Sequence, residues 1–171
     1  MNQPIIITGF MAAGKTTVAQ ALARLLNCNM VDVDQLIADA EKRSPKEIIQ
    51  QDGEEAFREV ETKHLLKALG VGPDQVIALG GGAWIMQRNR RVIAAHQGFT
   101  VWLDAPFALC WERISTSNIG RPLAPNRELA QKLYDERRQF YELALFHLTA
   151  DGKVDVDGLA SMIAAAASRS E

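Results

Sequence analysis

The chain has 171 residues, 47% of them hydrophobic and 23% charged, which is enough for one globular domain with a substantial core. Its formal net charge of −2 gives no overall attraction to nucleic acid or to an anionic membrane. No apolar stretch approaches the ~18 residues that span a bilayer, the N-terminus lacks a signal-peptide pattern, and Cys28 and Cys110 lack metal-site spacing. We therefore expect a cytoplasmic, monomeric protein with reduced cysteines and no nucleic acid or membrane partner.

Short apolar runs alternate with longer helical patterns along the chain. We predict strands at 5–8, 30–31, 76–79, 99–103 and, more weakly, 145–148. We predict helices at 16–26, 54–69, 105–114, 127–144 and 160–167. The strand candidates are apolar throughout rather than alternating, which is typical of strands buried on both faces. The alternation of strands and helices predicts an α/β fold with a parallel sheet.

The most specific motif lies between the first predicted strand and the first predicted helix. Gly9-x-x-x-x-Gly14-Lys15-Thr16 fits the phosphate-binding pattern at every position and in the expected strand–loop–helix context. Backbone N–H groups and the helix N-terminus would hold phosphates, Lys15 would reach the β- and γ-phosphates, and the Thr16 hydroxyl would ligate Mg²⁺. The loop therefore predicts a nucleoside triphosphate site, and the absence of the guanine-binding motif Asn-Lys-x-Asp favours ATP.

Two further groups of residues follow predicted strands. Asp32 and Asp34 come after the second strand, where one carboxylate could support Mg²⁺ while the other meets a substrate hydroxyl; alternatively, Asp34 caps a helix that begins at Gln35. Gly80-Gly81-Gly82 follows the third strand and indicates either a close approach to the main chain or a flexible turn. Since ligands of parallel sheets bind beyond the carboxyl ends of the strands, we expect Gly9, Asp32 and Gly80 to converge on one site.

Two arginines on predicted helices are candidate anion-binding residues. Arg58 follows Phe57, and its alternative is a surface ion pair with Glu54 or Glu61. Arg137 lies on the long helix at 127–144, and its alternative is membership of a solvated basic face. Taken singly, each of these alternatives is the better interpretation of its arginine.

Two positions between the predicted fourth strand and the long helix at 127–144 are open to more than one interpretation. Arg121 lies in a stretch rich in Ser, Asn, Gly and Pro, and is either part of a lid that closes over a transferring phosphoryl group or an exposed loop residue. Asp104 ends the apolar strand. Many phosphate-loop enzymes have an aspartate at the end of such a strand, where it lies behind Mg²⁺. Because Asp104 precedes Ala105 and Pro106, we expect it to be a helix N-cap instead.

Taken together, the motifs between about residues 5 and 141 resemble those of the shikimate kinase family, in order and in spacing. They are Gly9-Phe10-Met11, Gly14-Lys15-Thr16-Thr17, Asp32-x-Asp34, Gly53-Glu54-x-x-Phe57-Arg58-x-x-Glu61, Gly80-Gly81-Gly82, Gly120-Arg121-Pro122-Leu123 and Arg137-x-x-x-Tyr141. The resemblance implies a nucleoside-monophosphate-kinase-like phosphate-loop fold, with a five-stranded parallel sheet flanked by helices and a mobile lid. It implies a single kinase domain over 1–171, with an acceptor-binding region at about 33–61 and a lid at about 112–126.

The resemblance also implies an activity, which is transfer of the ATP γ-phosphoryl group to the 3-hydroxyl of shikimate in aromatic amino acid biosynthesis. The catalytic residues would be Lys15, Asp34 and Arg121. The ATP-binding residues would be Ala12, Ala13, Gly14, Lys15, Thr16, Thr17 and Arg121. The shikimate-binding residues would be Asp34, Arg58, Gly81, Gly82 and Arg137, and the Mg²⁺ residues would be Thr16 and Asp32. Arginine suits this acceptor because its guanidinium binds a carboxylate in a bidentate manner.

Three segments depart from the family pattern. Ala12 stands where glycine is usual, Lys42-Arg43-Ser44-Pro45 stands where a glycine and an apolar residue are usual, and the loop at 149–153 lacks the usual Arg or Asn-Pro signature. Two alternatives to shikimate phosphorylation follow. One is a related kinase that acts on another hydroxy acid such as gluconate, and the other is a non-catalytic ATP-binding protein.

Overall fold

Five short parallel strands form one sheet in the computed structural model, which describes residues 2–117 and 123–170. The strands are β1 (Ile5–Thr8), β2 (Asn29–Asp32), β3 (Gln75–Ala78), β4 (Phe99–Asp104) and β5 (Phe146–Thr149). Their spatial order is β2-β3-β1-β4-β5, so β1 is the central strand. This arrangement confirms the predicted five-stranded parallel sheet.

Helices flank the sheet. The described residues contain α1 (Lys15–Leu26), α2 (Val33–Glu41), α3 (Pro45–Asp52), α4 (Glu54–Leu69), α5 (Gln87–Ala95), α6 (Phe107–Thr116), α7 (Arg127–Tyr141), α8 (Val156–Ser168) and a 3₁₀ helix (Ala83–Ile85). Within the described ranges, no helix has the length and apolar character needed to cross a membrane. Arg121 and the rest of 118–122, the centre of the predicted lid, lie outside the described residues.

The core runs through β1 and both layers of helices. Ile5, Ile6 and Ile7 are fully buried, which explains why this strand is apolar at consecutive positions. Leu22 of α1 and Ile163 of α8 are also fully buried, where these two helices pack together. Each such side chain contributes about 1.5–3 kcal/mol by leaving water. The sheet is therefore a rigid platform for the loops at its carboxyl edge.

The two cysteines are free thiols in different surroundings. Cys110 is fully buried, and burial raises its pKa to about 11. Cys28 is half-buried and packs against the edge of the core.

Two helix caps differ from the sequence predictions. The side chain of Asp32, not Asp34, caps α2, because Asp32 Oδ1 accepts from the backbone N–H groups of Asp34 at 3.0 Å and Gln35 at 3.3 Å. Asp104 does not cap α6, whose N-cap is Pro106 without a side-chain bond. Asp104 instead accepts two 3.0 Å hydrogen bonds from the guanidinium of Arg138 on α7.

Two α-helices, α3 and α5, were not predicted, and α2 was foreseen only as the alternative in which a helix begins at Gln35. Helix α3 begins with a complete capping box, in which Ser44 and Glu47 bond each other's backbone N–H groups, with Pro45 at the first helical position. Helix α5 is largely polar, and Asn89 and Ile93 are its buried residues, so few apolar positions in the sequence indicate it. The capping box was a signal for α3 in the sequence, whereas the low apolar content of α5 made that helix hard to predict.

Candidate active site

The phosphate loop joins β1 to α1, as the motif predicts. Gly14 is the N-cap of α1 and has a φ of 100°, a conformation that favours glycine. Ala12 also has a positive φ, 59°, although it carries a Cβ atom. Lys15 is 9% exposed and donates from Nζ to the carbonyl oxygens of Gly9 at 3.0 Å and Phe10 at 2.8 Å. The ammonium group is therefore held against the loop itself.

A hydroxyl and a carboxylate meet at the start of α1. Thr16 donates from Oγ1 to Asp32 Oδ2 at 2.6 Å, and the other oxygen of Asp32 caps α2. The carboxylate is thus fixed by both helices. Because the Thr16 hydroxyl gives its hydrogen to Asp32, its oxygen lone pairs point away from the carboxylate and can coordinate a hard cation.

A cavity of about 690 Å³ opens over the phosphate loop. Every predicted ATP-binding residue from Ala12 to Thr17 lines it. Its far end is lined mainly by small and apolar residues: Ala150, Gly152, Val154, Asp155, Val156 and Leu159. Cavities of this size hold nucleotide-sized ligands. The polar end suits phosphates and the apolar end suits a base.

Arg113 is a cavity residue that the sequence analysis missed. It lies on α6, lines the cavity over the phosphate loop, and donates from Nη1 to the backbone oxygen of Ala12 at 3.0 Å. Its signal in the sequence was weak, because a single arginine in a helix is most often solvated. Only the fold places α6 beside the phosphate loop.

A second cavity, of about 520 Å³, lies beside the first. It contains all five predicted acceptor-binding residues, Asp34, Arg58, Gly81, Gly82 and Arg137. Its remaining walls include Pro45, Lys46 and Ile49 of α3, together with Phe57, Glu61, Gly80 and Leu123. The expected convergence of Gly9, Asp32 and Gly80 at the carboxyl edge of the sheet is also seen, because Gly9 directly follows β1, Asp32 ends β2 and Gly80 lies two residues after β3.

The three glycines after β3 are explained by close approach rather than by flexibility. A Cβ atom on Gly80 would lie 2.7 Å from Asp34 Oδ1 and 2.8 Å from Glu61 Oε1. A Cβ atom on Gly82 would clash with the guanidinium of Arg58. Glycine is therefore required for these charged side chains to lie against the main chain.

Arg58 is buried and pairs with two carboxylates. Its guanidinium is 2.8 Å from Glu61 and 2.9 Å from Glu54. Burial disfavours its charged form, but the two glutamates outweigh burial and raise the pKa of Arg58. The alternative of a surface ion pair was correct about the partners and wrong about the location, because Arg58 is 8% exposed and lines the second cavity.

Glu61 is fully buried, and Arg58 satisfies only one of its two oxygens. Within the described residues its Oε1 has no hydrogen-bond partner. Burial raises the pKa of Glu61, Arg58 opposes this effect, and nearby Asp34 adds to it. A buried carboxylate that is only half satisfied holds the Arg58 guanidinium at a fixed place in the cavity wall.

Arg137 lies inside the molecule and not on a solvated basic face. It is 6% exposed and donates to the carbonyl oxygen of Gly81 at 3.3 Å. Tyr141, one turn later on α7, donates to the same oxygen at 2.5 Å, and burial raises the pKa of Tyr141 to about 12. Its neighbour Arg138 packs over Trp102 and pairs with Asp104. Helix α7 is thereby anchored on both sides of Arg137.

The two cavities share a wall. Met11, Thr16, Asp32, Asp34 and Gly81 line both of them. The shared residues include the hydroxyl and carboxylates that sequence reasoning assigned to Mg²⁺ and to the acceptor hydroxyl. A phosphorylated ligand in one cavity and an anionic ligand in the other would therefore meet at these groups.

Known shikimate kinases are similar to this chain in sequence and in structure. A model of the shikimate kinase family matches residues 11–167. The shikimate kinase of Ruegeria pomeroyi is 34% identical over 97% of this chain and 85% of its own length. The shikimate kinase of Cereibacter sphaeroides is 40% identical over 84% of this chain and 72% of its own length. The structure of Acinetobacter baumannii shikimate kinase in complex with shikimate is 28% identical, with a TM-score of 0.90 over 99% of this chain and 94% of that one.

Proposed function

This chain belongs to the shikimate kinase family, and we propose that it transfers the γ-phosphoryl group of ATP to the 3-hydroxyl of shikimate. The observation that carries the proposal is the pair of cavities joined at Thr16, Asp32 and Asp34. One has a phosphate loop as its floor, and the other has two buried arginines in its wall. A kinase for a carboxylated acceptor needs both.

The phosphate loop binds ATP in this proposal. Residues 12–17 surround the phosphates with backbone N–H groups, and the N-terminus of α1 adds its partial positive charge. Lys15 leaves the carbonyl oxygens of Gly9 and Phe10 to bind the β- and γ-phosphates. Support comes from its burial and its position beside the loop. Lys15 then stabilises the charge of the transferring phosphoryl group.

Mg²⁺ fits the same site. Thr16 and Asp32 would hold it, because a hydroxyl oxygen with free lone pairs lies 2.6 Å from a carboxylate oxygen. No cluster of three or more His, Cys, Asp or Glu side chains able to hold a metal occurs in 2–117 or 123–170. This agrees with Mg²⁺ chemistry, since the ion is usually held by one or two protein groups plus substrate phosphates. When bound, Mg²⁺ would neutralise charge on the β- and γ-phosphates.

The second cavity binds shikimate. Arg58 and Arg137 hold its carboxylate, and the main chain at Gly81 and Gly82 lies against the ring. Asp34, on the shared wall, contacts the acceptor hydroxyl and orients its oxygen for attack on the γ-phosphorus as ADP departs. Because the transition state of phosphoryl transfer is usually loose, Asp34 can act by orientation as well as by accepting the hydroxyl proton.

The remaining parts of the proposal concern the lid and the working unit. Arg121, outside the described residues, would reach the transferring phosphoryl group from a lid at about 112–126, of which the N-terminal end, to Thr116, belongs to α6. Closure would keep water from the γ-phosphate. We also propose a single kinase domain over 1–171 that acts as a cytoplasmic monomer. The free thiols Cys28 and Cys110 support the cytoplasmic location. Light scattering at working concentration measures the oligomeric state.

One assay tests the proposed reaction. ADP release is measured with shikimate, with gluconate and without an acceptor, each with Mg²⁺ and again with excess EDTA. We expect turnover with shikimate alone, lost in EDTA and restored by added Mg²⁺. Turnover with gluconate only would assign another acceptor, and no acceptor-dependent turnover would favour a non-catalytic ATP-binding protein.

A further inference from the structure

Lys46 is a cation in the acceptor cavity that no part of the proposed function uses. It lies in the first turn of α3 and lines the second cavity together with Arg58 and Arg137. Its neighbours Pro45 and Ile49 form the apolar part of the same wall. The side chain is exposed, so its ammonium can reach a ligand at the mouth of the cavity.

The charges of the cavity show why a further cation matters. Arg58 is already paired with Glu54 and Glu61. Asp32 and Asp34 add two more carboxylates to the cavity wall. The two buried arginines, Arg58 and Arg137, are thus outnumbered by the four carboxylates on or beside the cavity wall. An anionic acceptor would feel little net attraction from these groups alone.

Lys46 differs from Arg58 in its pairing. Within the ranges that the structure describes, no carboxylate lies within ion-pair distance of Lys46, whereas Arg58 has two such partners. Glu47, the next residue, feels the charge of Lys46, but its carboxylate is bonded to Ser44, so the ammonium group of Lys46 remains available to an incoming ligand. Lys46 is thus the exposed positive group through which the cavity can attract an anion.

The helix gives Lys46 no stabilising role. Helix α3 is started by the capping box of Ser44 and Glu47 and by Pro45 at its first position, and none of these needs a lysine at 46. The N-terminus of a helix carries partial positive charge, so a cation in the first turn is unfavourable there. The lysine therefore stands at a position where α3 would be more stable with a neutral or acidic residue.

We propose that Lys46 is a specificity-determining residue that recognises the carboxylate of the acceptor at the cavity mouth. The inference rests on the proposed acceptor site, and it adds a third cation to Arg58 and Arg137. Lys46 acts on capture of the acceptor and not on phosphoryl transfer. The preference of this chain for a carboxylated over a neutral acceptor would then depend partly on α3.

The test compares Lys46→Gln and Lys46→Glu with the wild-type chain. At low ionic strength we expect KM for shikimate to rise about 2- to 5-fold in Lys46→Gln and about 5- to 20-fold in Lys46→Glu, since one partly screened charge pair is lost or reversed. KM for ATP and kcat should stay within twofold. Lys67→Gln is the matched control, because Lys67 is exposed near the C-terminal end of α4 and outside the cavity.

Two further measurements separate a charge effect from a packing effect. The increase in KM should shrink at 0.5 M salt, and it should be absent when the uncharged carboxamide of shikimate is the acceptor. The melting temperature of Lys46→Glu should be about 1–3 °C above that of the wild type, because the unfavourable cation is removed from α3. Lower affinity with higher stability is a combination that a merely structural residue would not give.

Specific results would overturn the inference. An unchanged KM for shikimate in both variants would do so, and so would an equal increase for shikimate and its carboxamide. Failure of the proposed function is distinguishable, because the wild-type chain itself would then show no shikimate-dependent turnover, and both proposals would fall. Wild-type turnover with unaffected Lys46 variants would overturn the inference alone.

Discussion

The two cavities hold anions by different physical means. The phosphate loop is one continuous segment, and its binding groups are backbone N–H groups, the start of α1 and a single cation, Lys15. The acceptor cavity is assembled from α2, α3, α4, the glycines after β3 and α7, and its binding groups are side chains. Backbone N–H groups remain in place after most side-chain substitutions, whereas replacing a buried arginine removes its binding group altogether. The two halves should therefore respond differently to mutation.

The largest effect is expected where the phosphate loop does depend on a side chain. We predict that Lys15→Met lowers kcat by about 10³-fold or more, because the variant loses the cation that stabilises the transferring phosphoryl group. Steady-state kinetics with saturating ATP and shikimate measures kcat, and circular dichroism checks the fold. A kcat within tenfold of the wild type would remove Lys15 from the catalytic role.

Arg137→Ala should affect the acceptor half alone. We predict that KM for shikimate rises about 10- to 100-fold, the value of one or two hydrogen bonds to a charged group, while KM for ATP changes less than threefold. Steady-state kinetics with each substrate varied measures both constants. Arg138→Ala, on the same helix but paired with Asp104 outside the cavity, is the comparison variant. A selective loss of ATP affinity in Arg137→Ala would place this arginine in the nucleotide half.

Arg113→Ala provides the opposite test. Because Arg113 lines the nucleotide cavity and bonds the backbone of Ala12, we predict a rise in KM for ATP of about 3- to 10-fold. KM for shikimate should stay within twofold. Arg24→Ala, an exposed arginine on α1 outside both cavities, is the control. If Arg113→Ala raised both constants equally, the two halves would be coupled through the phosphate loop.

The smallest effect is expected from the backbone of the loop. Ala12 has a φ of 59°, which glycine adopts without strain, so we predict that Ala12→Gly raises the free energy of unfolding by at most about 1 kcal/mol. Ala13, a buried neighbour that is not among the positive-φ residues, is the matched control, and Ala13→Gly should lower stability by about 0.5–1 kcal/mol. Urea unfolding curves give both values. Equal signs for the two variants would show that conformational strain at Ala12 is unimportant.

The difference between the halves also explains what could be predicted from the sequence. The phosphate loop was predictable because its residues are contiguous and each residue type in the pattern has a known role in binding phosphate. The acceptor cavity was predictable only through resemblance, because a surface position was the better interpretation of Arg58 and of Arg137 when each was taken singly. Burial, which decides between those interpretations, depends on how α4 and α7 pack, and that is a tertiary property.

The errors have a similar cause. Asp32 and Asp34 are both plausible caps, and only the start of α2 at Val33 decides that Asp32 accepts the hydrogen bonds. Asp104 was expected to cap α6, but Arg138, 34 residues later in the chain, competes for its carboxylate. Arg113 was missed because its partner is a backbone oxygen 101 residues away. Local sequence patterns carry no information about contacts between residues that lie so far apart in the chain.

The shared wall of the two cavities has a consequence for ligand design. Since Met11, Thr16, Asp34 and Gly81 face both cavities, no layer of protein separates the end of a triphosphate from the acceptor. A short linker could therefore join a nucleotide fragment to a carboxylated ring without displacing either. Each fragment would then hold the other at an effective concentration on the order of millimolar, so two weak ligands would become one tight inhibitor.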